Sequence, residues 1–356
     1  MKQRLNKISS FLEEKRLDAF LVTSDINIGY LSGLEQGDAI LLIAPGKTNL
    51  IITDPRFIQE ASSLKEFKAQ ITSQRIPLVL SRKFRELALK KIAFEAKNLT
   101  YSQYTLLKEA CDDVKFVPTT DIIEGMRSIK DTSEIKKIRE TIEIGICAFE
   151  ALREELKPGM TERCIADRLE VLIREKGGLK SAFDTITASG INTSRPHAHP
   201  TNRVWKPQDL LLIDWGVHYN GYNCDLTRVL FSDRITNNKK RIYKILLEAQ
   251  EKAISAIKPG VKAKEISNLA GNYLKKYKLD KFFLHSLGHG VGREVHESPW
   301  ISPKSETELQ ENMVFTLEPA VYFSGSWGMR IEDMVMVTKS GHKVISKRLK
   351  QEYFYA

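Results

Sequence analysis

Cysteine is scarce in this chain of 356 residues, and its spacing limits the kinds of site the chain can hold. The four cysteines, Cys111, Cys147, Cys164 and Cys224, are widely separated and form no Cys-x-x-Cys pair. The pattern does not indicate a disulfide framework. We therefore expect a reduced cytoplasmic protein.

Long apolar runs and concentrated charge are also lacking. No apolar stretch approaches the roughly 20 residues that a membrane-spanning helix needs, and the first residues have the positive end of a signal peptide without its apolar core. The net charge is +10, but the basic residues are scattered apart from short runs such as 239–241 and 275–276. We interpret these runs as solvated faces and expect neither a nucleic-acid nor a membrane partner.

The composition is that of an ordinary globular protein, with 42% hydrophobic and 28% charged residues. The length predicts two domains. In the first part of the chain, short apolar segments alternate with helical patterns, which predicts an α/β domain. Strands are expected at residues 19–22, 39–44, 49–53 and 91–94. Residues 27–33 and 53–57 are expected to be loops.

The pattern breaks around residues 118–125, and a long amphipathic helix then begins. Asp131 and Glu134 form a capping box, in which each side chain satisfies a backbone donor at the start of the helix. We place the domain boundary near residue 125, which gives domains 1–125 and 126–356.

The second domain contains a weak internal repeat. Leu-Lys-Pro-Gly at 156–159 is echoed by Ile-Lys-Pro-Gly at 257–260, an offset of 101 residues. Each copy follows one amphipathic helix and precedes another. Two such units predict a pseudo-symmetric α/β fold with its site between the halves, and chance similarity of two Pro-Gly helix ends is the alternative.

The stretch 209–228 is the one around which we expect the second domain to be organised. Asn-Gly at 220–221 lies between two strand-like segments and is the strongest short hairpin signal, because a type I′ turn needs positive φ at both central residues. The register then pairs Asp214 with Thr227 and places Asp225 diagonal to Asp214, at a Cα separation of roughly 7–8 Å. We interpret the hairpin as half of a metal cradle, with turn hydrogen bonding by the two aspartates as the alternative.

Three more side chains complete a set of candidate metal ligands. Glycines flank His289 and let the backbone approach a site closely. Glu318 precedes a proline, and Glu332 is expected in a strand where it shares a face with Arg330 and Met334. Two Asp, two Glu and one His suit a pair of divalent ions of the manganese, cobalt, iron or zinc kind, and argue against a cysteine-rich structural zinc site.

These positions resemble the metallopeptidase family with the pita-bread fold, which includes methionine aminopeptidase, Xaa-Pro aminopeptidase and prolidase. Asp214 matches the ligand in Asp-x-Gly, and Asp225 matches the bridging Asp before Leu-Thr-Arg. His289 matches the ligand of Gly-His-Gly-x-Gly. Glu318 matches the Glu of Glu-Pro-x-x-Tyr, and Glu332 the bridging Glu of Arg-Ile-Glu-Asp. The resemblance implies two divalent metal ions, with manganese as the first choice and cobalt, iron or zinc as alternatives.

Flanking motifs extend the resemblance over nearly the whole chain. His197 matches the Pro-His motif near the scissile bond, His296 the second histidine of the His-Glu motif, and Arg330 the arginine ahead of the last ligand. Residues 27–33 and the Asp-x-Arg at 54–56 resemble the creatinase-type domain that simple methionine aminopeptidases lack. The resemblance therefore implies a creatinase-type N-terminal domain followed by a pita-bread catalytic domain.

The implied chemistry is hydrolysis of a peptide bond next to proline in a homodimeric enzyme. Glu318 would take a proton from the attacking water, and His197 and His296 would donate to the oxyanion that forms. His199 lies outside the motif and is expected at the surface or behind the ligands. Two alternatives use the same scaffold. A metal-free creatinase-like amidinohydrolase need not keep the five ligands, and a non-catalytic binding module is expected to have lost some.

The shared motifs do not indicate the length of the peptide substrate. A prolidase must bind the free carboxylate of a dipeptide, and some prolidases place an Arg, whose planar fork matches a carboxylate, after the proline of His-Glu-x-Pro. Here Trp300 follows Pro299, and an indole is better suited to a peptide that continues past proline. We therefore predict an Xaa-Pro aminopeptidase. Prolidase is the alternative, because Arg330 or a partner subunit's first domain could supply the cation.

Overall fold

The computed structural model describes residues 1–35, 37–232 and 234–349, together with the backbone of 353–354. The chain separates into two compact units, Met1–Met126 and Arg127–Ala356.

The first unit is an α/β layer around a six-stranded sheet. Its strands are β1 (Ala19–Val22), β2 (Ala39–Ile43), β3 (Leu50–Thr53), β4 (Lys68–Ile71), β5 (Lys91–Glu95) and β6 (Lys115–Thr119). The helices that begin in it are α1 (Lys2–Lys15), α2 (Asp25–Ser32), α3 (Ile58–Ser62), α4 (Ile76–Glu86), α5 (Tyr101–Ala110) and α6 (Ile122–Ser128). The strand order is β4-β3-β2-β1-β5-β6, with β2 antiparallel to both neighbours and the other pairs parallel.

The four predicted strands of this unit are confirmed as β1, β2, β3 and β5, and the sequence missed β4 and β6. Both missed strands are at the edges of the sheet, where charged residues and a proline such as Pro118 are tolerated because one side of the strand is unpaired. The prediction of a loop at 27–33 was wrong. Most of this segment is in α2, where buried Asn27 donates to Glu95 Oε1 (2.6 Å) and Glu124 Oε1 (2.7 Å).

The second unit contains four long helices and many short strands. Its helices are α7 (Thr132–Glu155), α8 (Glu162–Glu175), α9 (Asn237–Ser255) and α10 (Ala263–Lys276). Its first strands are β7 (Lys180–Ser181), β8 (Ile186–Ser189), β9 (Leu211–Trp215), β10 (Val217–Tyr219), β11 (Tyr222–Asn223) and β12 (Leu226–Phe231). The remaining strands are β13 (Gly288–Gly290), β14 (Glu297–Ile301), β15 (Val314–Leu317), β16 (Ala320–Phe323), β17 (Trp327–Arg330), β18 (Asp333–Val337), β19 (His342–Val344) and β20 (Tyr353–Phe354). In the described part of the chain, no helix combines the length and the apolar character needed to cross a bilayer.

Two larger sheets form the centre of this unit, with strand orders β20-β12-β9-β8 and β14-β13-β15-β18-β19. Successive side chains of β12 enter different cores: Val229 packs with residues of α9 and α10, whereas Leu230 packs with residues of α7 and α8. Strand β18 behaves in the same way: Val335 packs with residues of α9 and α10, whereas Met334 packs with residues of α7 and α8. Because side chains alternate along a strand, the two helix pairs cover opposite faces of the sheets.

The predicted internal repeat is present in the backbone. The helix pairs α7–α8 and α9–α10 are each joined through a Lys-Pro-Gly turn, in which Gly159 and Gly260 have φ of 101° and 86°. Gly159 N donates to Trp205 O (3.1 Å) and, in the other half, Gly260 N donates to Leu309 O (2.8 Å). Each half therefore makes an equivalent backbone hydrogen bond, and the order of helices is the same in both.

The capping box at the start of α7 is also formed. The Asp131 side chain accepts from Glu134 N at 3.0 Å, and the Glu134 side chain accepts from Asp131 N at 2.9 Å. Glu134 further accepts from the hydroxyl of Tyr222, in β11, at 2.9 Å. The cap thus fixes the start of the long helix and ties it to the hairpin.

Candidate metal centre

Asp214 and Asp225 are held by the hairpin that the sequence predicted. Asn220 and Gly221 have φ of 50° and 75°, as a type I′ turn requires. Asp214 pairs with Thr227 in the predicted register. Asp225 lies where the ladder is interrupted between β11 and β12. Carboxylate oxygens of the two aspartates lie within 4.8 Å of each other, so the hairpin brings both predicted ligands to one place.

His289 reaches the same place from β13. A side chain at Gly288 would collide with the backbone of Thr316, and one at Gly290 would collide with the backbone of Ser298. Only glycines permit this approach of neighbouring strands. Nε2 of His289 lies 3.6 Å from Asp225 Oδ2.

Glu318 and Glu332 enter from the ends of two paired strands. Glu318 directly follows β15, and Glu332 directly precedes β18. The prediction of one continuous strand with Arg330, Glu332 and Met334 on a shared face was wrong, since β17 ends at Arg330 and β18 begins at Asp333. The break lets Glu332 bridge to β12 instead: its N–H donates to Thr227 O (3.2 Å), and Thr227 Oγ1 donates to its Oε2 (2.7 Å).

All five predicted ligands therefore meet in one cluster. They fall into overlapping groups whose ligand atoms lie within 4.8 Å of one another, and two of these groups are His289, Glu318 and Glu332, and Asp214, Asp225 and Glu332. Within the described residues, Asp214 Oδ1 is buried and has no hydrogen-bond partner. A buried carboxylate oxygen left in this way is costly unless a cation binds it.

The charge of the cluster also suits bound cations. Burial, together with the nearby carboxylates of Glu332, Asp214 and Glu318, raises the pKa of Asp225 well above its ordinary value. Burial and the same kind of carboxylate repulsion raise the pKa of Glu332. An oxygen-rich set with one imidazole and an excess of negative charge fits divalent ions of the manganese, cobalt, iron or zinc kind.

Arg330 is the cation built into the cluster. It donates from Nη2 to Asp214 Oδ2 at 2.5 Å and from Nη1 to Tyr322 Oη at 2.6 Å. The guanidinium is buried and also donates to Thr227 Oγ1 and to Pro196 O, both at 3.2 Å. Arg330 thus fixes one oxygen of Asp214, while the other oxygen has no hydrogen-bond partner among the described residues.

A cavity of about 420 Å³ opens onto the five side chains. Its remaining wall includes His197, His199, His285, His296 and Trp300. His197, His199 and His296 are exposed, and Trp300 is 49% exposed. The structure also brings His296 close enough to join Asp225 and His289 in a third group of potential ligand atoms within 4.8 Å.

Sequence reasoning assigned no role to His285 and Tyr322, which are hydrogen-bonded to each other beside the cluster. His285 Nδ1 is 2.8 Å from the carbonyl oxygen of Ser286, which can only accept, so the ring proton is on Nδ1. Nε2 then accepts from the Tyr322 hydroxyl at 3.1 Å. Burial raises the pKa of Tyr322 to about 12, which keeps this hydroxyl protonated. The Glu-Pro-x-x-Tyr spacing after Glu318 was the available signal for Tyr322.

Glu297, beside His296, is anchored by two buried cations. Arg127 Nη2 lies 2.5 Å from its Oε2, and Lys130 Nζ lies 3.0 Å from its Oε1. Burial raises the pKa of Glu297, but Lys130 and Arg127 outweigh it and hold the pKa below its usual range. The carboxylate also lies where a side chain at Gly292 would go, which explains the last glycine of the histidine motif.

Comparison with known proteins identifies the class to which this fold and cluster belong. The model of metallopeptidase family M24 matches residues 136–339, and the model of the creatinase/prolidase N-terminal domain matches residues 4–129. The chain belongs to metallopeptidase family M24 and has a creatinase-type N-terminal domain. The predicted family and fold class are confirmed.

Relatives match over almost the entire length. An Xaa-Pro dipeptidase of Pyrococcus furiosus is 36% identical over 353 residues, which cover 98% of each chain. The structure resembles that of an Xaa-Pro dipeptidase from Bacillus anthracis, with a TM-score of 0.96, 33% identity and 99% of each chain covered. It also resembles an X-Pro aminopeptidase from Thermotoga maritima, with a TM-score of 0.90, 35% identity and coverage of 95% of this chain and 98% of that one.

Proposed function

We propose that the protein is an Xaa-Pro dipeptidase that uses two divalent metal ions, with manganese as the first choice. The observation that carries the proposal is the match to Xaa-Pro dipeptidases along almost the whole chain, with 98% of both chains covered. This reverses the order of the sequence prediction, which put Xaa-Pro aminopeptidase first and dipeptidase second. The proposal also includes a homodimer and a reduced cytoplasmic environment, and the four free cysteines are consistent with the reduced environment.

The five clustered residues would hold the metal ions in this proposal: Asp214, Asp225, His289, Glu318 and Glu332. Bound divalent ions lower the pKa of water and polarise a peptide carbonyl. Bound cations would offset the mutual repulsion that raises the pKa of Asp225 and Glu332, and so would favour the ionised carboxylates that act as ligands.

The other residues of the cavity supply proton transfer and orientation. Glu318 takes the proton of the attacking water and passes it on, since its carboxylate lies at the cavity wall. His197 and His296 line the same cavity and would donate to the developing oxyanion. Arg330 holds Asp214 in place through the 2.5 Å hydrogen bond.

Xaa-Pro aminopeptidase is the second candidate, and Trp300 is the observation that favours it. Trp300 pairs with His289 across β13 and β14, and its ring centroid is 6.3 Å from that of His289. An indole in this position offers an apolar wall for a peptide that continues past proline rather than a charge for a terminal carboxylate. The resemblance to the Thermotoga maritima aminopeptidase is consistent with this candidate.

Steady-state kinetics on a matched pair of peptides separate the two candidates. For a dipeptidase, kcat/KM on Ala-Pro should exceed that on Ala-Pro-Ala at least tenfold. The reverse preference would make the protein an aminopeptidase. In that case Trp300→Arg should raise dipeptide cleavage, because it places a cation next to the proline carboxylate.

A further inference from the structure

Glu162 is a buried carboxylate that lies outside the cluster of five candidate metal ligands. It is the first residue of α8 and has no exposed surface. Its partners belong to the segment between Ser189, at the end of β8, and Thr201. This segment carries His197 and is called the histidine loop below.

One carboxylate joins both ends of the histidine loop. Oε1 of Glu162 accepts from the backbone N–H of Ser189 at 2.6 Å and from its hydroxyl at 2.8 Å. Oε2 accepts from the backbone N–H of Thr201 at 3.1 Å and from its hydroxyl at 2.6 Å. Between these ends, Asn192 Nδ2 lies 3.0 Å from both oxygens.

The partners of Glu162 require an acceptor on both oxygens. All of the groups above donate, two of them being backbone N–H groups that cannot be turned away. An ionised carboxylate accepts on both oxygens, and such charge-assisted bonds are roughly twice as strong as neutral ones. A glutamine of the same shape would present an N–H group to donors at one end of the loop, so that end would lose its anchor.

The middle of the histidine loop is also hydrogen-bonded to β17, the strand that ends at Arg330. Arg330, which binds Asp214, donates to Pro196 O at 3.2 Å, directly beside His197. Thr193 Oγ1 accepts from Gly328 N at 2.9 Å. With its ends fixed by Glu162, the loop presents His197 at the cavity wall.

We propose that Glu162 is a positioning residue for His197: it closes the ends of the histidine loop and so sets where the imidazole meets the substrate. This inference rests on the proposed function, because it assumes that His197 acts in peptide hydrolysis. Among the described residues, the side-chain hydrogen bonds of Glu162 go to Ser189, Asn192 and Thr201, and Glu162 does not line the cavity, so it acts on the reaction only through His197.

The test is a double-mutant cycle on the metal-loaded full-length protein. Glu162→Gln should lower kcat on an Xaa-Pro peptide by about 10-fold to 100-fold, the scale of a misplaced catalytic group, while the bound metal content stays unchanged. In the His197→Ala background the same substitution should lower kcat by less than about threefold, because the residue it positions is gone. Equal losses of kcat in both backgrounds would overturn the proposal.

Glu134→Gln is the matched control. Glu134 is also a buried glutamate in the first turn of a helix, but its hydrogen bonds go to Tyr222 and Asp131. Glu134→Gln should lower kcat by the same factor in the parent protein and in the His197→Ala background. A cycle in which Glu134→Gln depended on His197 as strongly as Glu162→Gln would show a general loss of rigidity and contradict the assignment.

Hydrogen–deuterium exchange separates this inference from the proposed function. In Glu162→Gln, amides of residues 189–201 should exchange faster than in the parent protein, whereas amides of β13 and β14 should not change. If the parent protein cleaves no Xaa-Pro peptide, the proposed function fails, and unchanged exchange in the loop would separately refute the anchoring role. Thr201→Val is the replacement variant if Glu162→Gln does not fold, because it removes a single donor to Glu162. In the same double-mutant cycle, Thr201→Val should lower kcat by about threefold to tenfold, the equivalent of one hydrogen bond.

Discussion

At the scale of single residues, the sequence predicted which side chains belong to the candidate site wherever those side chains lie in a recognisable local motif. Asp214 and Asp225 could be placed because the Asn-Gly turn fixes the register of the hairpin. His285 and Glu162 could not be given roles, because their partners are distant in the chain: His285 binds Tyr322, 37 residues later, and Glu162 binds Thr201, 39 residues later. No local pattern reports contacts of that kind.

Asp225 offers a prediction about stability in the absence of metal. Its raised pKa means that the ionised carboxylate destabilises the folded metal-free protein as the pH rises above the ordinary carboxyl value of about 4. Asp225→Asn should therefore raise the Tm of the metal-free protein at pH 7 by about 2–4 °C, the effect of about 1 kcal/mol in a domain of about 200 residues. The gain should shrink as the pH falls toward 4. Excess metal should reverse the order, because it stabilises the parent protein alone.

Asp333→Asn is the control for this prediction. Asp333 is equally buried but is paired with Arg228 Nη2 at 2.9 Å. Removing the charge of Asp333 takes away the carboxylate that offsets the buried guanidinium of Arg228, so the Tm should fall with or without metal. A lower Tm for metal-free Asp225→Asn at pH 7, measured by scanning calorimetry, would contradict the account of a repulsive cluster.

At the scale of elements, helices and strands could be predicted reliably where periodicity and turn chemistry agreed. The buried strands of the first unit and the capped helix α7 were predicted on that basis. Edge strands β4 and β6 were missed, because one side of an edge strand is unpaired and tolerates polar residues. The interruption between β17 and β18 was missed as well, because it is set by the cross-sheet bridge between Thr227 and Glu332.

The packing of β13 against β14 gives a prediction at this scale. A methyl group on Gly290 would meet the carbonyls of Ser298 and Glu297, and backbone cannot rotate out of the way. Gly290→Ala should destabilise the protein by about 1–3 kcal/mol and lower its affinity for metal, since His289 is displaced. Gly271→Ala is the control: it lies in α10 with no atom close to the added carbon, so it should stabilise by about 0.5–1 kcal/mol. Equal Tm values and equal metal content for the two variants would refute this explanation of the glycines.

At the scale of the whole molecule, the sequence predicted the fold class and the family because motifs from many parts of the chain agreed with one another. The preference between dipeptidase and aminopeptidase was harder to predict, since it rested on a single side chain, Trp300. Substrate length depends on the shape and charge of the entire cavity. Full-length similarity carries more information about that cavity than one position does, and it favours the dipeptidase.

In the proposed function, peptide hydrolysis depends on metal ions held by the five clustered residues, and this dependence is the central claim. The most direct test is the rate of Ala-Pro hydrolysis by one preparation, measured before exhaustive chelation, after chelation and after titration with manganese, with bound metal counted at each stage. We predict that chelation abolishes hydrolysis and that manganese restores it as two ions bind per chain. Full turnover by the metal-free protein would contradict the claim.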